Sequence, residues 1–135
     1  MNIGLIGLGA MGGAYAKHLI TNNFNCYGID LDKKNISRFL NLGGSEITYP
    51  NLFNKVDVVL LSLPSLEAYK NVLENLKKLG KHTSNKIILD MNTISIEDKI
   101  NFKNEIKKFN IDMLDTPVSG TCLLYTSDAA DEVQC

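Results

Sequence analysis

The sequence is poor in the residues that would take it out of the ordinary run of globular domains. Its three cysteines, Cys26, Cys122 and Cys135, show neither a paired framework nor a metal-ligand spacing, so neither disulfides nor a metal is expected to hold the fold. No apolar run is long enough to span a bilayer. Met1 leads straight into Ile3-Gly4-Leu5-Ile6 without a basic region or cleavage site, so neither anchor nor signal peptide is expected and the cytoplasm is the expected location. Charge of one sign is also scarce: 14 Lys and Arg stand against 15 Asp and Glu, a net charge of -1, without the basic excess of a nucleic-acid-binding protein. The length of 135 residues excludes two full domains, while 44% hydrophobic residues suffice to fill one core.

What is present alternates in period. Asn2 to Ile6 is a short β-rich run that breaks at Gly7, and Met11 to Ile20 follows with helical spacing. Asn25 to Asp30 predicts a second strand and Lys33 to Leu42 a helix ended by Gly43-Gly44. Ser45 to Thr48 reads as a short strand, the Pro50 region as a turn, and Val56 to Leu63 as a strand buried on both faces. A helix from Ser65, its N-cap, runs to about Lys78 and stops at Gly80. Lys86 to Asp90 is the next strand, Ser95 to Phe109 the next helix, and Ile111 to Asp115 a strand closed by Pro117. Alternation of this kind predicts an α/β fold with a doubly wound parallel sheet.

The last fourteen residues break the pattern. Asn, Lys and Ile dominate the chain through Thr121, and none of them occurs after it. The string Cys122-Leu123-Leu124-Tyr125-Thr126-Ser127-Asp128-Ala129-Ala130-Asp131 matches the conceptual translation of a transposase-based sequencing-library adapter. Residues 1–121 are therefore read as the domain and 122–135 as adapter-derived sequence, set aside from functional reasoning as a tag would be. This predicts that the natural reading frame, and the sheet with it, is cut at or just after Thr121. A genuine C-terminal helix or tail is the alternative.

Gly7-Leu8-Gly9-Ala10-Met11-Gly12 is a G-x-G-x-x-G sequence placed between the first strand and the first helix. In that position Gly7 permits a tight turn, Gly9 lets the backbone approach a pyrophosphate, and Gly12 lets the helix pack closely. The helix N-terminus would add amides and partial positive charge at the phosphates. Asp30 ends the second strand, where a carboxylate can accept from an adenosine ribose 2′-hydroxyl and would repel a 2′-phosphate. NAD is favoured over NADP. Lys33, Lys34 and Arg38 leave NADP open if turned inward, and are otherwise a solvated helix face.

With these motifs stand Leu60-Leu61-Ser62-Leu63-Pro64, Asp90-Met91-Asn92-Thr93-Ile94-Ser95 and Leu114-Asp115-Thr116-Pro117-Val118-Ser119-Gly120. Together, in this order, they resemble the N-terminal Rossmann-type domain of the β-hydroxyacid dehydrogenases, the family of 3-hydroxyisobutyrate dehydrogenase, 2-hydroxy-3-oxopropionate reductase and, more distantly, 6-phosphogluconate dehydrogenase. The resemblance implies hydride transfer between a nicotinamide and the carbon bearing the hydroxyl or carbonyl of a small β-hydroxy acid or semialdehyde acid. By position it implies that Ala10 and Met11 line the dinucleotide turn, that Leu63 and Pro64 sit beside the cofactor, and that Thr93 approaches the nicotinamide ribose or ring. It implies that Ser119 and Gly120 hold a substrate carboxylate. Asn92 stands where the family usually has Ser, and Thr121 where a further Gly is common.

The family's catalytic lysine would lie on a helix beyond Thr121, so no catalytic residue is expected in this chain, and the second domain that carries it would supply most of a homo-oligomer interface. Lys99, Lys103, Lys107 and Lys108 read as a solvated helix face. His18 and His82 lack a nucleophile or metal partner and read as structural or solvent-facing, while Asp57, Asp90 and Asp115 suit turn or cap roles. Two other readings remain: a dinucleotide-binding module without catalysis, and another Rossmann reductase of the ketopantoate or pyrroline-carboxylate kind.

Overall fold

The first strand, β1 (Asn2–Ile6), lies at the centre of a sheet because its neighbours on either side pair with it in parallel. A computed structural model describes residues 1–117 of the chain. After β1 come α1 (Ala10–Thr21), β2 (Asn25–Ile29), α2 (Lys33–Leu42), β3 (Ser45–Glu46) and α3 (Tyr49–Lys55). Then follow β4 (Val58–Leu61), α4 (Leu66–Lys78), β5 (Lys86–Asp90), α5 (Ile96–Lys107) and β6 (Ile111–Asp115). The six strands run parallel in the order β3-β2-β1-β4-β5-β6. The chain therefore winds one way from β1 to β3, returns to the middle, and winds the other way through β4 to β6.

That return places helices on both faces. Ile3 and Leu5 of β1 pack with Ala16 of α1 and Ile36 and Phe39 of α2. On the opposite face Val59 and Leu61 of β4 and Ile88 of β5 pack with Leu52 and Phe53 of α3, Tyr69 and Leu76 of α4, and Phe102 and Ile106 of α5. Central parallel strands covered on both sides need apolar residues at consecutive positions, which explains the Val-Val-Leu-Leu run of β4. Among the described residues no helix is long and apolar enough to cross a membrane.

Three helices start on side-chain caps, of which Ser65 was the one expected. Asp32, Ser65 and Ser95 accept hydrogen bonds from the amides of Lys34, Ala68 and Asp98 at 2.8, 3.1 and 3.2 Å. The structure corrects the turn expected at Pro50, which instead lies in the first turn of α3. A first-turn proline loses nothing by lacking its N–H, because that donor has no partner within the helix anyway. Leu52 and Phe53 then bury a full helical face, and this hydrophobic gain overrides the turn signal. The strand expected over Val56 to Leu63 is shorter, Val58–Leu61, since Ser62 onward turns away at the edge of the sheet.

Candidate functional site

Between β1 and β4, where the winding direction reverses, the loops leaving the carboxyl ends of neighbouring strands diverge and open a crevice. The loop after β1 crosses it as a tight glycine turn. Gly7 has φ +98°, and a Cβ at that position would lie 1.8 Å from the Ser62 carbonyl oxygen, so the turn closes against β4 only with glycine. A Cβ at Gly12 would lie 2.0 Å from the Gly7 carbonyl oxygen, so α1 seats on the turn only because Gly12 has no side chain. Around Gly9 nothing lies within 4 Å of the Cβ position, and that open side faces a cavity of about 740 Å³.

Gly7, Gly9, Ala10, Met11 and Gly12 all line this cavity. The N-cap of α1 is Gly9, without a side-chain cap, and the first turn carries no acidic residue. The amides of Ala10, Met11 and Gly12 therefore have no partner within the helix and point, with the positive end of the helix dipole, toward the cavity. Such an N-terminus suits an anionic group such as a pyrophosphate.

Asp30 lines the same cavity. Its Oδ2 accepts from the Leu8 amide at 2.7 Å and from Asn35 Nδ2 at 3.1 Å, and its Oδ1 from the Asp32 amide at 2.7 Å. The carboxylate therefore ties the glycine turn to the end of β2, and Oδ1 retains capacity for one further hydrogen bond. Arg38 donates to Asn35 Oδ1, which joins it to Asp30 through that amide. It lines a smaller cavity of about 250 Å³ with Lys17, while Lys33 and Lys34 are exposed on α2 and line neither cavity.

On the far side of the turn, Leu63 and Pro64 form part of the cavity wall after β4. Thr93 is exposed in the loop after β5 and is not part of that wall. Ser119 and Gly120 lie outside the described residues. Among the wall residues that the sequence does not single out are Tyr49 of α3 and Asn71, Val72 and Asn75 of α4. With Ala68 the α4 residues fall at i, i+3, i+4 and i+7, the spacing of one helix face, which is the signal that would have found them. Tyr49 was hidden because α3 was read as a turn. Burial pushes its phenol up to about 12.

Two readings of charged residues need correction. Lys99 is not on a solvated face: it is 7% exposed, and its Nζ donates to the Asn92 carbonyl at 2.5 Å and to Asp115, with Asp90 Oδ2 at 3.7 Å. It lies one face with Phe102 and Ile106, at i+3 and i+7, so its position on α5 is a core position. Lys103, Lys107 and Lys108 are exposed as expected. Asp90 is more than a turn residue. It is fully buried, its Oδ1 accepts from the Asn92 amide at 3.0 Å and Nδ2 at 2.7 Å, and its Oδ2 from the Tyr69 hydroxyl at 2.8 Å. Burial, then the Asp90 charge and hydrogen bond, hold the Tyr69 phenol well above its ordinary range.

Asp57, expected in a turn or cap, instead ties the start of β4 to that of β1, accepting from the Asn2 amide at 2.9 Å. His82 is half-buried, its ring edge against Phe53 at 4.9 Å, and burial followed by the Lys86 charge lowers its imidazole below the usual value.

A six-stranded parallel sheet in this order, with a glycine turn and an acidic residue ending β2 on one cavity, defines a Rossmann dinucleotide-binding domain. Residues 2–124 match the family described as the NAD binding domain of 6-phosphogluconate dehydrogenase, and the chain belongs to that family. It is 28% identical over 123 residues to the mitochondrial 3-hydroxyisobutyrate dehydrogenase of Bos taurus, covering 87% of this chain and 36% of that protein. It is 31% identical over 121 residues to the L-threonate dehydrogenase of Cupriavidus necator, covering 88% of this chain and 41% of that one. Among solved structures, the Mycobacterium tuberculosis 3-hydroxyisobutyrate dehydrogenase with L-serine superposes with a TM-score of 0.73 at 25% identity, over 88% of this chain and 40% of that chain. The chain thus spans well under half the length of these relatives.

Proposed function

We propose that this chain is the cofactor-binding part of an NAD-dependent dehydrogenase that oxidises a small β-hydroxy acid, or reduces the corresponding semialdehyde acid. The observation that carries the reading is the convergence on one cavity of the unpartnered α1 amides and the Asp30 carboxylate. When NAD is bound there, its nicotinamide supplies the hydride acceptor. The chain's own residues bind and orient: the amides of Ala10, Met11 and Gly12 take the pyrophosphate, and Asp30 Oδ1 takes a ribose hydroxyl. Leu63 and Pro64 exclude water beside the ring, and Thr93 approaches the ribose or ring. Ser119 and Gly120 take the substrate carboxylate. The lysine that handles the substrate oxygen belongs to sequence outside residues 1–121, so the chain binds cofactor without turning over substrate. A homo-oligomer of the whole enzyme and a cytoplasmic location complete the proposal.

The test is calorimetric titration of the chain with NADH and NADPH, together with an assay for NADH formation from L-threonate and 3-hydroxyisobutyrate. Binding of NADH without turnover is expected. Asp30→Ala is expected to weaken NADH about tenfold and NADPH less, as loss of a charge-assisted hydrogen bond implies. Equal affinity of the unaltered chain for both cofactors would sink the role of Asp30, and turnover by the chain would place the catalytic group within it.

The adapter reading of 122–135 is tested by resequencing the source locus across the Thr121 codon with a different library chemistry. A frame that continues into a helix bearing Lys-x-x-x-Asn supports it. Reproduction of Cys122 to Cys135 followed by a stop overturns it.

A further inference from the structure

The proposed site uses the glycine turn and Asp30 for the adenosine and pyrophosphate half of the ligand. Strand order places β2 on one side of β1 and β4 and β5 on the other. A dinucleotide whose pyrophosphate lies over the turn and whose adenosine lies at β2 must therefore lay its nicotinamide half over the ends of β4 and β5. The loops at those ends are held by one buried cluster. The Leu63 amide donates to Asn92 Oδ1 at 2.6 Å, and the Met91 amide to the Leu61 carbonyl at 2.9 Å. Asn92 is held in turn by Asp90, and the Thr116 amide after β6 donates to the Asp90 carbonyl at 2.9 Å.

Lys99 is the cation that closes this cluster. Its ammonium reaches the Asn92 carbonyl, Asp115 and the side of the buried Asp90, and so ties the ends of β5 and β6 to α5. The Asn92 side chain passes the constraint on to Leu63, a wall residue of the cavity. A buried ammonium with three oxygen partners is costly to desolvate, so its retention on the core face of α5 points to geometry rather than to net stability. Asn92 suits this arrangement because its amide can accept from Leu63 and donate to Asp90 at the same time.

We infer that Lys99 is a positioning residue for the nicotinamide half of the cofactor, acting through Asn92 and Leu63 without touching the ligand. The inference rests on the dinucleotide reading of the cavity. Its physical content is that loss of the cation frees the Asn92 carbonyl and lets the β4 and β5 loops drift, while the glycine turn and Asp30, on the other side of β1, keep their own hydrogen bonds.

The test separates the two halves of the ligand. The full chain and its Lys99→Met and Asp115→Asn variants are titrated with NADH and with ADP, which ends at the pyrophosphate, and nicotinamide fluorescence is followed during the NADH titration. Lys99→Met is expected to raise the NADH Kd about tenfold, to leave the ADP Kd within about twofold, and to shift bound-nicotinamide emission toward that of free NADH. Should Lys99→Met not fold, Asp115→Asn carries the test. It removes a partly exposed partner and is expected to weaken NADH about threefold with ADP unchanged. Parallel losses of NADH and ADP, or no loss of either in a folded variant, would overturn the positioning role. Failure of the unaltered chain to bind either ligand would instead remove the dinucleotide reading, and the inference with it.

Discussion

Gly12→Ala is expected to abolish measurable NADH binding, with Kd raised about a hundredfold or more, the scale at which roughly 1 Å of misplacement is felt at an oriented site. The added Cβ would sit 2.0 Å from the Gly7 carbonyl oxygen and 2.8 Å from its carbon, and both are backbone atoms of a turn already pressed against Ser62. Neither can give way as a side chain would. The start of α1 has to lift off the turn, which withdraws the amides of Ala10 and Met11 from the cavity, at an overpacking cost of about 1–3 kcal/mol. Gly13→Ala is the control. Its Cβ would lie 3.5 Å from the Leu8 carbonyl, an ordinary contact, so binding should persist and stability should rise by about 0.5 kcal/mol from helix propensity. NADH titration with thermal unfolding of both variants separates the effects. Binding by Gly12→Ala within twofold of the parent would refute the account of the turn.

The second large effect concerns the buried cluster. Asp90→Ala removes the acceptor of three hydrogen bonds, from Tyr69 and from both nitrogens of Asn92, and leaves the Lys99 cation with Asp115 alone among carboxylates. Breaking a buried pair in this way is expected to cost about 3 kcal/mol, or roughly 10 °C in Tm for a domain of this size. Because the cost arises from stranded partners, Asp90→Ala with Lys99→Met should be less destabilised than the sum of the single variants. Urea unfolding of the four proteins gives the coupling directly. Additive losses would show that Lys99 and Asp90 do not depend on each other.

Much of the fold was legible because its signals are local. The period-two runs, the Ser65 cap and the glycine stops act within a few residues, and they place ten of the eleven described elements close to where they form. Pro50 misled for a reason of the same scale: proline is equally at home in a turn and in the first turn of a helix, and only the burial of Leu52 and Phe53 decides between them. The glycine side of the site was legible because its chemistry is written in one hexapeptide whose spacing matches the geometry of a turn. The helical part of its wall was not, since Tyr49 and the Asn71, Val72 and Asn75 face meet the turn only once α3 and α4 have packed on the sheet.

The sequence by itself determined the alternation of strand and helix, the glycine turn, the acid at the end of β2 and thereby the class of ligand, because each depends on neighbours along the chain. Only the tertiary structure decided the environment of Lys99 and Asp90. Helical spacing sets Lys99 on the face of Phe102 and Ile106, but a lysine there reads as solvated until its partners are known, as Lys103 on the same helix is. Lys99 is a core residue because Asp90, Asn92 and Asp115 arrive from the ends of two different strands to receive its charge, and a lysine is buried only where such partners converge.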